Sequence, residues 1–123
     1  MQKQKWVVHN PREVEDYLEG LDGITAHWAW AIHEQMISMG EMRCAIRWNI
    51  PVYGHKTWLA YINPLKGKGV ECCFMRPERY ASAHLLQIRD RKMVGGLRFP
   101  EEAQSVEILQ ELILEAVVLD RGF

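Results

Sequence analysis

IRWNIPVYG, residues 46–54, closes an alternating run and brings a tryptophan, a proline, a tyrosine and a glycine close together. Upstream of it, Met42, Cys44, Ile46 and Trp48 project one way and Arg43, Ala45 and Arg47 the other, the period of a strand with one buried face. On that reading Trp48 continues the inward series and packs its indole under the helices. Pro51, without an amide hydrogen, ends the strand ladder, and Gly54 lets the chain turn. Tyr53 lays its ring on the bend and needs a partner for its hydroxyl. Trp48, Pro51, Tyr53 and Gly54 therefore read as a structural corner rather than a chemical site.

On its N-terminal side lie two helical patterns. Asn10 can cap, Pro11 suits the first helical position and Glu13 follows three residues after the cap. Val14, Tyr17, Leu18 and Leu21 then repeat on one face, and Gly20 and Gly23 close the helix. A second helix is predicted from Thr25, as cap, to Gly40, with Trp28, Ile32, Met36 and Met39 inward.

On the C-terminal side, KTWLAYI and VECCFM read as strands joined by the turn-rich NPLKGKG, a hairpin. PERYASAHLL is a short helix or an irregular segment, and GGLRF a last strand. Ser105 caps a long final helix running to about Asp120. Its core stripe is Leu109, Leu112, Ile113, Ala116 and Val117, yet Leu114 and Val118 lie almost opposite. A helix apolar on two sides is buried on two sides, and a second copy of the chain is one candidate for the other partner.

The order predicts a single α+β domain over residues 1–123, with an antiparallel sheet of four or five strands and the N- and C-terminal helices mainly on one face. At 123 residues the chain can bury its own core. A net charge of −1 gives no general field for nucleic acid or anionic lipid. Three cysteines without regular spacing argue against a disulfide framework and for a reducing, cytoplasmic setting. The short apolar run at Trp6–Val8 does not make a signal peptide, and no stretch is long enough to span a bilayer.

IRWNIPVYG, VECCF, GGLRFP and LILEAVVLDR together resemble the YdhG-like family of small bacterial domains, over roughly residues 12–121. The shared features are Trp48, Pro51 and Tyr53 as Trp-x-x-Pro-x-Tyr, Arg98 near the end of the last strand, and Glu115 and Ala116 in the final helix. The chain departs from the family where FMRPERY replaces a Phe-x-x-Gly. Because some members are described as frataxin-like iron chaperones, the resemblance implies iron as a cargo here.

Carboxylates at Glu15, Glu19 and Asp22 line one flank of the first helix, and Glu107, Glu111 and Glu115 do so on the last. Oxygen ligands suit iron, so Glu15, Glu19 and Asp22 are the candidate metal residues. The plainer reading is a solvated helix face. His27 and His33 lack the spacing of a helical metal clasp. Adjacent Cys72 and Cys73 point to opposite faces, Cys44 and Cys72 inward, leaving Cys73 as the more reactive thiol. Nucleophile-elbow, zinc-protease, P-loop and dinucleotide motifs are all missing, which points to a non-enzymatic binding protein.

The sheet's other face carries Arg43, Arg47, Leu59, Tyr61, Glu71, Cys73, Met75 and Arg98. Cations mixed with apolar groups suit a covered face. The cover is a small anionic ligand held by Arg43, Arg47, Tyr61 and Arg98, a protein partner, or the chain's own connector. A homodimer through the C-terminal helix or this face is the matching assembly.

Overall fold

Helix starts, strand alternation and tight turns give the order α1 (Pro11–Glu19), α2 (Gly23–Ser38), β1 (Arg43–Arg47), β2 (Ile50–Gly54), β3 (Trp58–Leu65), β4 (Gly69–Met75), β5 (Val94–Phe99) and α3 (Val106–Arg121). The computed structural model describes residues 8–76, 79, 94–100 and 106–121. The fold is α+β, with five antiparallel strands in the order β1-β2-β3-β4-β5. Each strand pairs with its sequence neighbour, through short connections from β1 to β4 and through the longer 76–93 connection between β4 and β5. The Ser105 cap and, apart from Arg79, the 77–86 segment predicted above fall outside the described residues.

Asn10 does cap α1: its Oδ1 accepts from the Glu13 amide at 3.3 Å. Glu13, however, spends its carboxylate elsewhere, accepting the Ile46 amide of edge strand β1 at 3.2 Å. His9 Nδ1 accepts the Cys44 amide, and the Asn10 amide donates to the Cys44 carbonyl. The start of α1 thus occupies the open edge of the sheet, a standard protection against edge-to-edge association.

The cap of helix α2 lies three residues earlier than the sequence suggests, at Asp22 instead of Thr25. Thr25 is buried in its first turn. Its Oγ1 donates to the Leu65 carbonyl at 3.1 Å and accepts the Gly69 amide at 3.3 Å, pinning α2 to the β3–β4 hairpin. A cap and a first-turn hydroxyl look alike in sequence; the long-range acceptor decided the role.

The core lies between the sheet and the helices. Val14 and Leu18 of α1, Ile32 and Met36 of α2, and Leu112 and Ile113 of α3 bury against Tyr53, Ile62, Cys72 and Phe74. Trp28 stacks on Phe99 of β5 with centroids 5.3 Å apart. Gly40 lets α3 come close, since a Cβ there would meet Ile113 at 2.9 Å. Among the described residues no helix is long and apolar enough to cross a membrane.

Candidate functional site

The opening stretch is a hairpin tip, not a corner. Arg47 pairs with Ile50, and Trp48 and Asn49 between them have φ of +53° and +65°. Two positive φ values are what a two-residue I′ turn requires, because its twist matches the strands. Trp48 is therefore turned out of the sheet alternation and is 62% exposed, contrary to its expected place under the helices. Pro51 does not end the ladder either. It pairs with Ile46 inside β2, and the β2–β3 ladder begins only at Val52, so its missing amide falls where that ladder has not started. Gly54 is the last residue of β2, beside a register shift.

Asn tolerates the left-handed region through local hydrogen bonding, whereas a bulky residue there costs on the order of 1–3 kcal/mol. Trp48 bears that cost without burying its ring. What it gains is a contact with its neighbour: the Arg47 guanidinium lies 5.6 Å from the Trp48 ring centroid and 5.5 Å from that of Trp58. An indole is the best cation–π partner, and an exposed pair contributes roughly 0.5–1 kcal/mol. Arg47 is exposed and makes no ion pair among the described residues. A guanidinium held by ring faces is ordered yet keeps N–H donors for a planar acceptor such as carboxylate or phosphate.

The other residues proposed for an anion are engaged differently. Arg98 Nε lies 3.3 Å from Glu71 Oε2, which neutralises both. Glu71 is nearly buried and lies across Gly96, where a Cβ would meet its Cγ at 3.1 Å. Tyr61 sits in a cross-strand row with Ala45, Val52, Cys73 and Gly96. Ala45, Val52 and Cys73 of that row are buried, so the centre of this face is closed to solvent. Arg43 is exposed at the far end of β1, opposite Gly54. Arg47 on edge strand β1 and Arg98 on the opposite edge strand β5 are therefore kept apart by the width of the sheet.

Cys73 lies on the face opposite Cys72, as alternation predicts, but at 1% exposure it is no accessible thiol. Its Sγ donates to Glu71 Oε1 at 3.5 Å. Burial pushes the Cys44 thiol up to about 11, with the Glu15 carboxylate adding to the shift. Burial also holds Cys72 well above the ordinary thiol range. These two thiols stay protonated at neutral pH and are poor nucleophiles.

A buried polar pair crosses the core and was invisible as a pair in sequence. His33 Nδ1 of α2 and the Tyr53 hydroxyl are 2.8 Å apart. Burial lowers the His33 pKa, opposed by Glu15 and Glu34, and raises that of Tyr53 well above its ordinary value. A neutral imidazole thus accepts from, or donates to, a neutral phenol, and the unassigned partner of Tyr53 is found.

Glu15 and Glu19 are exposed on α1, and Asp22 is exposed at the α2 cap. Among the described residues no three His, Cys, Asp or Glu side chains gather as metal ligands. Near the C-terminal end of α3, an open groove of about 470 Å³ runs between Leu114, Val118 and Arg121 on one side and Met39, His55 and Lys56 on the other. Loop 55–57 is fixed there by buried Asp120, whose carboxylate accepts the Lys56 amide at 2.7 Å and the Thr57 hydroxyl at 2.8 Å. His55 Nε2 lies 2.9 Å from the Gly40 carbonyl oxygen.

Comparison of the chain with protein-family models, with curated proteins and with solved structures finds no match in any of the three.

Proposed function

We propose that this protein is a non-enzymatic binding module that takes an anionic group at the tip of the β1–β2 hairpin. The Arg47 guanidinium supplies the charge and the N–H fork, and the exposed Trp48 ring supplies apolar contact for whatever carries the anion. The observation that carries this reading is the ordering of an exposed guanidinium, without an ion pair among the described residues, by two indoles at 5.6 and 5.5 Å. Exposed Trp and Arg together are the residue types that dominate binding energy at recognition surfaces. A strained Trp48 also suits a binding role, since backbone strain collects at functional positions.

The test is a titration of isotope-labelled protein with acetate and with benzoate at constant ionic strength, following the Arg47 side chain and the Trp48 and Trp58 indole N–H signals. Saturable shifts at these three groups are expected. Benzoate should bind about two- to tenfold tighter than acetate through ring stacking of roughly 0.5–1.5 kcal/mol. Arg47→Lys should remove the response, because a lysine keeps the charge but not the planar fork. Equal shifts at every arginine, or an unchanged response in Arg47→Lys, would defeat the proposal.

The competing reading is iron carriage, drawn from the family resemblance. Its support in the fold is that Glu15, Glu19 and Asp22 are all exposed. Native mass spectrometry of protein purified without chelators separates the two. Iron adducts lost in Glu15→Gln/Glu19→Gln/Asp22→Asn favour the carrier, whereas an organic anion lost in Arg47→Lys favours the hairpin site.

A further inference from the structure

We infer that the outward face of α3 is a self-recognition surface, pairing antiparallel with α3 of a second copy of this chain. This rests on observations separate from the hairpin site. Leu114 is 50% exposed and Val118 63%, and Glu111 and Arg121 are exposed as well. At 100° per residue, Glu111, Leu114, Val118 and Arg121 fall within about 80° of one another, a single stripe along the helix. None of the four is engaged in an ion pair among the described residues.

The stripe reads acid, apolar, apolar, base, with spacings of three, four and three. The spacing is the same from either end, and the chemistry is complementary when reversed. A two-fold axis midway between Leu114 and Val118 therefore sets each Leu114 against the second copy's Val118. The same axis sets each Glu111 against the second copy's Arg121. Both apolar contacts and both ion pairs form at once, which is the self-complementarity that an isologous interface demands. Parallel pairing would place Glu111 against Glu111 and Arg121 against Arg121, and is disfavoured. The alternation of three and four is also the knobs-into-holes spacing of paired helices.

The groove beside the stripe gives the second helix room. Leu114, Val118 and Arg121 form one wall, and Met39 lies opposite beside His55 and Lys56, so side chains of the second copy enter a space of mixed apolar and polar lining. A seam of about three helical turns buries less than the roughly 1,200–2,000 Å² of a permanent interface. Association is accordingly weak and concentration-dependent.

Sedimentation equilibrium on the whole chain, up to about 1 mM, tests this, with circular dichroism confirming that each variant is folded. A monomer–dimer equilibrium is expected. Leu114→Lys should abolish it, since it sets a charge into each apolar contact. Glu111→Arg and Arg121→Glu, each alone, should weaken the dimer by roughly five- to thirtyfold, because each change replaces two attractions with two repulsions. Combining Glu111→Arg with Arg121→Glu restores both ion pairs and should recover the original affinity. A monomer throughout the range would overturn the inference. So would a dimer unmoved by the single reversals, or one that the combined reversal fails to rescue.

Discussion

Replacing Tyr53 with Phe removes one oxygen from the middle of the core and leaves the ring in place. The ring is fully buried, and Phe fills nearly the same volume, so the cavity contribution is small. What remains is His33, 6% exposed, with an Nδ1 that loses its partner at 2.8 Å. An unsatisfied buried polar group costs about 1–3 kcal/mol. For a chain of this size, with a urea dependence near 2 kcal/mol per molar, the unfolding midpoint should fall by roughly 0.5–1.5 M at unchanged slope. Adding His33→Leu to Tyr53→Phe removes the orphan and should recover most of the loss, since replacing both partners by apolar groups is close to neutral. The pair also sets a pH dependence. The folded His33 pKa lies below its ordinary value, so the unfolded chain takes up the proton first. Stability is therefore full above about pH 6.5 and falls as the pH drops from there toward the folded pKa. The slope is at most about 1.4 kcal/mol per pH unit, and His33→Leu should remove it. A Tyr53→Phe cost below about 0.5 kcal/mol, or a pH profile the same in His33→Leu, would refute this account.

Three further outcomes follow from the same geometry. Asp120→Ala removes two hydrogen bonds to a buried carboxylate, those from the Lys56 amide and the Thr57 hydroxyl, and should cost about 2–4 kcal/mol by urea unfolding. Trp48→Gly tests the hairpin tip. Strain relief at φ +53° offsets the lost cation–π contact and the added chain entropy, so the change should stay within about 1 kcal/mol. A Trp packed in the core would instead cost about 3–5 kcal/mol. Cys44, Cys72 and Cys73 are all buried, so a thiol reagent at pH 8 should label the native protein only as fast as it opens. Rapid labelling of Cys73, read by peptide mapping, would contradict its burial.

Where one local pattern is sufficient, the sequence was readable. The Asn10-Pro11 cap, the β3–β4 hairpin at NPLKGKG, and the two apolar sides of α3 can each be found within a dozen residues. Leu114 and Val118 were recognisable as a second face because helical periodicity is a local property. Trp48 was misplaced for the converse reason. Alternation continues an inward series only while the chain stays extended, and at Trp48-Asn49 it reverses. The signal for that turn was Asn49, which enters the left-handed region readily, but a neighbouring Trp is a poor I′ residue and masked it.

The candidate site divides along the same line. Arg47 stood out as a cation on a strand, but its separation from Arg98, and its place between Trp48 and Trp58, depend on strand pairing. Cys73 was assigned to its face correctly, yet its burial reflects what surrounds that face rather than anything in VECCF. The pairing of His33 with Tyr53, of Glu13 with the Ile46 amide and of Asp120 with loop 55–57 joins residues 20, 33 and 63 or more positions apart. By itself the sequence determined the α+β class, the helix faces and most strands, because periodicity and turn chemistry act between near neighbours. Only the tertiary structure decided which polar groups meet and which side chains stay exposed, because those depend on desolvation and packing between segments distant in the chain.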